Sequence, residues 1–162
     1  MQAAEPPALP PFKMKMINMF RPNLKLIKSF RLGLSYATQQ LKDIEISSGL
    51  VYFIAELSQV EWMNMSDLSS AVGVDNAYAT RAVNRLCALG YIQKVQDEND
   101  RRAYRISLTA SGWQVAERVN QTLKQWVEII TAGVAAEDIA TVNRVFDTFY
   151  KNSVNALNRR QA

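Results

Sequence analysis

Between Asn76 and Leu89 the chain places Thr80, Arg81, Asn84 and Arg85 at three- and four-residue spacing, with no carboxylate among them. The chemistry open to such a set is hydrogen bonding rather than bond making. A guanidinium donates to the two acceptors on the major-groove edge of guanine, and a carboxamide both donates to and accepts from adenine. With Asn76, Ala77 and Tyr78 of the same stretch, these residues are the candidates for contact with nucleic-acid bases. A second cationic cluster follows at Arg101 and Arg102, beside Asp100. There a carboxylate can steer one guanidinium while the other meets a phosphate. The plainer alternatives are a solvated helix face for Arg81 and Arg85, and ion pairs with Asp97 or Asp100 for Arg101 and Arg102.

Composition removes most other chemistries. The 162 residues contain no histidine and one cysteine, Cys87. Histidine-based zinc sites, a Ser-His-Asp triad and a Cys-His dyad are therefore excluded within one chain. No glycine-rich phosphate loop occurs, and no acidic run has calcium-loop spacing. No cofactor, no metal and no enzymatic activity are expected. A single cysteine excludes internal disulfides and fits a reducing compartment. No apolar run is long enough to span a bilayer and no cleavable leader is legible, so a cytoplasmic location without membrane contact is expected. The net charge of +4 conceals a block pattern. Residues 6–42 hold seven Lys or Arg and no acid, whereas residues 43–75 hold six acids and no Lys or Arg. A basic block alone is more often a solvated face than a binding site.

The elements that must position these residues follow from periodicity. Residues 1–11, with four prolines, read as a mobile arm. Leu26, Ile27, Phe30, Leu34, Ala37 and Leu41 recur at helical spacing from Asn23 to about Lys42. Ser47 is placed to cap a second helix bearing Leu50, Phe53, Ile54 and Leu57 on one face. An extended stretch, Trp62 to Met65, leads to Ser66, read as the cap of a short helix that ends at Val72 before Gly73. Asp75 is the expected N-cap of the helix from Asn76 to Leu89. On that helix Ala79, Ala82, Val83 and Leu86 fall inward, while Ala77, Thr80, Arg81, Asn84 and Arg85 fall outward. Two alternating segments around the polar run at 97–102 make a hairpin, with Tyr104, Ile106 and Leu108 on one face and Arg105 and Ser107 on the other. A long helix from Thr109 to about Ala132, a break at Gly133 and a last helix from about Glu137 complete a mainly α fold with a minor β part. The order helix, short helix, tight turn, polar-faced helix and hairpin is a winged helix-turn-helix.

The string Asp100-Arg101-Arg102-Ala103-Tyr104-Arg105-Ile106-Ser107-Leu108-Thr109-Ala110-Ser111-Gly112 resembles the wing signature of the MarR (multiple antibiotic resistance regulator) family at every fixed position. The stretch LSSAVGVDNAYATRAVNRLCALGYI is similar to that family's helix-turn-helix, and the likeness extends over roughly residues 24–157. It implies a homodimeric transcriptional regulator, a repressor by likeness, that occupies a pseudo-palindromic operator in double-stranded DNA. It also implies release by a small aromatic or anionic effector. Arg102 would then be the wing-tip residue entering the minor groove, with Asp100 orienting it, while Thr80 and Arg81 approach the major groove. The implied layout is an arm at 1–11, a dimerisation segment at 12–46, a DNA-binding lobe at 47–109 and C-terminal dimerisation helices at 110–162. Departures from the family pattern are Glu98, where proline is frequent, and Ala77 and Tyr78, where small hydroxyl residues are common.

Three features stay open at this level. Cys87 could sense oxidants, or be a small partly buried residue with no adjoining His or Lys to activate it. Met14, Met16, Met19, Phe20, Phe30 and Tyr36 could line a ligand pocket or form dimer core. Phe12, Phe20, Leu24, Phe146, Phe149 and Tyr150 present more apolar surface than a small winged domain can bury alone, which is the residue-level reason to expect pairing. The competing function is a winged-helix module serving protein contacts without a ligand response.

Overall fold

Pro11 opens the longest helix of the chain, α1 (Pro11–Gln40). The computed structural model describes the backbone of residues 11–96 and 104–158 and the side chains of 24–96 and 104–156. The sequence reading started this helix at Asn23 and extended the arm to residue 11, and both boundaries are corrected. Proline at a first helical position loses an N–H that has no intrahelical partner anyway. Pro22 lies inside the helix, where its missing N–H removes one bond, to the carbonyl of Asn18. The first ten residues lie outside the described ones.

The chain divides into two compact units, Met1–Leu123 and Lys124–Ala162. In the first, the C-terminal part of α1 enters the core through Ala37, followed by Leu41. Leu24, Leu26, Ile27, Phe30 and Leu32 on the same helix stay about half exposed. A 3₁₀ turn at Ser48–Leu50 then leads into α2 (Val51–Leu57). Ser47 precedes that turn with its backbone carbonyl accepting from Leu50 N–H, but its side chain makes no cap.

The next helix, α3 (Met65–Val72), is capped by Asn64 rather than by Ser66. Asn64 Oδ1 accepts from Asp67 N–H at 2.8 Å, and Asn64 Nδ2 donates to Asp67 Oδ2 at 2.8 Å. Asp67 thus both donates its N–H to the cap and holds the Asn64 side-chain amide in place, whereas Ser66 already lies within the first turn. Gly73 closes α3 in the left-handed region, with φ 75°. Asp75 then starts α4 (Asn76–Ala88), its carboxylate accepting from Tyr78 N–H at 2.7 Å. A cap of this kind contributes about 1 kcal/mol.

Gly90, at φ 74°, turns the chain into β1 (Ile92–Gln96), which pairs antiparallel with β2 (Tyr104–Leu108). The register sets Ile92 against Leu108 and Lys94 against Ile106. The expected extended stretch before α3 supplies a third edge: Met63 and Ile106 exchange both backbone hydrogen bonds, at 2.9 and 2.8 Å. α5 (Ala110–Thr131) follows β2 directly.

All of these elements converge on one core. Phe53, Ile54 and Leu57 of α2, Leu68 of α3, Ala79, Val83 and Leu86 of α4, Ile106 of β2 and Val119 of α5 are inaccessible to solvent. Burying a side chain of the Leu or Phe class contributes roughly 1.5–3 kcal/mol. α4 is thus held along its whole inner face. The second unit contains the last turns of α5, Gly133 at φ 78°, and α6 (Ala136–Asn158). Val142, Val145, Phe146 and Phe149 form an exposed apolar stripe along α6 at helical spacing. Among the described residues no helix is long and apolar enough to cross a membrane.

Candidate nucleic-acid interface

The outward face of α4 carries Ala77, Thr80, Arg81, Asn84 and Arg85, all exposed, over successive turns. Among the described residues neither arginine joins a salt bridge. Each can therefore donate outward without first breaking an ion pair. An α-helix about 10–12 Å across fits a major groove about 12 Å wide, so this face has the dimensions and donors to meet base edges.

The remaining two candidates on α4, Asn76 and Tyr78, are also exposed and make contacts within the chain as well. Asn76 Oδ1 accepts from Ser69 Oγ at 2.7 Å, tying the start of α4 to α3. Tyr78 lies against Phe53, with ring centroids 6.2 Å apart, and its hydroxyl rests on Gly49. The Arg81 guanidinium sits 5.9 Å from the Tyr78 ring centroid. Thr80 Oγ1 donates to the carbonyl of Asn76 at 2.7 Å, so that in this rotamer its hydroxyl can only accept from a base. The Ser69–Asn76 bond and the Phe53–Tyr78 and Gly49–Tyr78 contacts were not legible in the sequence, because each joins residues whose approach depends on how neighbouring elements pack.

Asp100, Arg101 and Arg102 lie outside the described residues. The strands that carry them toward the tip are described, and they hold two cations that the sequence reading did not single out as site residues. Lys94 Nζ stands 4.2 Å from the ring centroid of Tyr104, and Arg105 Cζ stands 4.5 Å from that of Trp62. The first pair is a diagonal neighbour across the ladder, visible only once the register is known.

A polar clasp joins the base of the hairpin to its neighbours. Thr109 Oγ1 donates to the carbonyl of Gly90 at 2.6 Å and accepts from Gly112 N–H at 3.0 Å. Ser111 Oγ donates to the same carbonyl at 2.8 Å. Thr109 N–H donates to the Tyr91 carbonyl at 3.0 Å. The end of α4, both strands and the start of α5 are fixed together by these bonds, which is the physical content of the Leu108-Thr109-x-x-Gly112 spacing. Farther along α5, Arg118 makes a two-pronged ion pair with Asp43, at 2.7 and 2.9 Å, which holds the Asp43 carboxyl below the usual carboxylate range.

Cys87 is partly buried and packs against the core. Burial raises its thiol above the ordinary range, and Lys94, brought near by the fold, opposes this only in part. Among the described residues no group of His, Cys, Asp or Glu could hold a metal ion.

A helix-turn-helix whose second helix is bare of acids, followed by a clasped β-hairpin, defines a winged helix-turn-helix protein. The sequence profile of the MarR family matches residues 49–104. The transcriptional regulator BilQ of Clostridioides difficile is 31% identical over 101 residues, a match that covers 62% of this chain and 66% of BilQ. A MarR transcriptional regulator from Methanosarcina mazei superposes with a TM-score of 0.74 at 23% identity, covering 82% of this chain and 96% of that one. A mutant of Escherichia coli MarR solved with operator DNA superposes with a TM-score of 0.70 at 19% identity, with the same coverage. The chain belongs to the MarR family of transcriptional regulators.

Proposed function

We propose that this regulator binds double-stranded DNA as a homodimer, with α4 of each protomer in the major groove of one half of a pseudo-palindromic operator, and that it represses transcription there. The observation that carries the reading is the acid-free outer face of α4, where Thr80, Arg81, Asn84 and Arg85 stand exposed on a helix whose inner face is wholly packed. Arg81 and Arg85 suit guanine, Asn84 suits adenine, and the methyl of Ala77 suits the thymine methyl. Arg101 and Arg102 are assigned to the adjacent minor groove, with Asp100 orienting Arg102. The solved complex of Escherichia coli MarR with operator DNA supports this arrangement by its shared fold.

Homodimerisation rests on the exposed apolar residues of α1 and of α6, which lie in the segments 12–46 and 110–162 assigned to pairing. The lobe 47–109 is assigned to DNA. Release by a small aromatic or anionic effector and a cytoplasmic location complete the proposal.

The test is a fluorescence-anisotropy titration of the purified chain against its own upstream intergenic duplex across a salt series. Affinity should fall steeply with salt, the logarithmic slope being about 0.9 per phosphate neutralised. No binding at low salt would overturn the reading. Replacing Arg102 with Ala should weaken binding by about 1–3 kcal/mol; an unchanged affinity would remove the wing from the interface.

A further inference from the structure

We propose that Tyr78 is a positioning residue rather than a base contact, and that Gly49 and Tyr78 form a matched pair that sets the aim of Arg81. The inference rests on the DNA-binding reading above. Tyr78 sits in the first turn of α4, where a side chain could turn toward a groove. Still 37% exposed, Tyr78 instead lays its ring against Phe53 of α2, which is completely buried. Its hydroxyl occupies the space above Gly49 so closely that a Cβ at residue 49 would lie 2.2 Å from Oη. The next atom of the ring, Cζ, would be 3.5 Å away, an ordinary contact.

The glycine at 49 is not demanded by its backbone. Residues 48–50 form a 3₁₀ turn, and the glycines with positive φ are Gly73, Gly90 and Gly133. What the missing side chain supplies at 49 is room for one hydroxyl. The Tyr78 ring also meets the Arg81 guanidinium at 5.9 Å, near the outer limit of a cation–aromatic contact. A ring resting on a buried phenylalanine and above a glycine thus presents a preferred surface to a long, flexible cation. Arginine loses much rotamer freedom on binding, and a surface that already limits it lowers that cost. A methyl at residue 49 displaces the hydroxyl and the ring with it, and so shifts the surface on which the Arg81 guanidinium rests.

The experiment is a compensation test read by DNA affinity and by thermal midpoint, using the full chain and the intergenic duplex that it retains in the salt titration. Tyr78→Phe alone should stay within about twofold of the native affinity, since the ring remains. Gly49→Ala should weaken binding at least fivefold, and Gly49→Ala with Tyr78→Phe should restore it to within about twofold, because the clashing atom is gone. In an Arg81→Ala background, Gly49→Ala should cost no further affinity. If Gly49→Ala does not fold, Tyr78→Ala replaces it and should also lose its effect once Arg81 is absent. A Tyr78→Phe variant as weak as Tyr78→Ala, a double variant that stays weak, or losses that simply add with Arg81→Ala would each overturn the proposal. Rescue of the thermal midpoint without any duplex binding by the native chain would leave the brace standing and sink the DNA reading instead.

Discussion

The α-carbon of Gly112 faces the backbone carbonyl of Tyr91 with no room between them: a Cβ at residue 112 would lie 1.8 Å from that oxygen and 2.9 Å from its carbon. Both are backbone atoms, and the oxygen is pinned by Thr109 N–H. Gly112→Ala must therefore separate α5 from β1, and should cost on the order of 2–4 kcal/mol of stability. Gly73→Ala is the control. Nothing lies within 4 Å of its would-be Cβ, and only its φ of 75° is strained, so it should cost about 1–2 kcal/mol. Thermal or urea unfolding of the two variants checks the order, which would be wrong if Gly73→Ala were the more damaging.

Thr109 uses its hydroxyl twice, as donor to Gly90 and as acceptor from Gly112. Thr109→Val keeps the shape and loses both bonds, for roughly 1–3 kcal/mol. Thr109→Ser keeps both and should recover most of that difference. Equal stability of the Val and Ser variants in denaturant titrations would show the clasp to be idle.

The ion pair of Asp43 with Arg118 carries a pH signature. Its hydrogen bonds to Arg118 and to the backbone depress the Asp43 pKa. The carboxylate therefore favours the folded state at neutral pH, and that contribution is lost as the pH falls below about 4, through the depressed value. Carboxyl NMR should show Asp43 titrating below an ordinary aspartate, and Arg118→Ala should move it back up. A normal midpoint in the native protein would deny the pair. Because both side chains are largely exposed, little change in stability is expected.

Cys87 should react slowly with a thiol-specific disulfide reagent at neutral pH and quickly in denaturant, since burial keeps the thiolate scarce. DNA affinity should be unchanged after mild peroxide treatment. Rapid modification of the folded protein, with loss of affinity, would instead identify a redox switch.

Much of this fold was legible because its local signals agree. In α4 the cap at Asp75, the inward set Ala79, Ala82, Val83 and Leu86, and the turn at Gly90 all point to one helix with one buried face. The hairpin was legible through the alternation around Ile106 and Leu108. Misreadings arose where two residues compete for a local role or where proline was given too much weight. Asn64 outranks Ser66 as a cap because Asp67 answers it, and α1 accommodates Pro22 at the loss of a single hydrogen bond. Of the candidate site, the outward row of α4 could be read from a helical wheel. The Phe53–Tyr78 contact and the Ser69–Asn76 bond could not, since both depend on where neighbouring helices pack.

The clasp between Gly90 and Thr109 also bears on how such a protein can evolve. It closes the wing as a loop spanning 19 residues, independently of what lies at the tip. Loop-closure entropy grows only as the logarithm of length, so four more residues at the tip would cost about 0.2 kcal/mol. The hairpin can therefore lengthen or shorten at little cost while the body beneath the clasp is left as it is, making this loop the cheapest part of the molecule to vary.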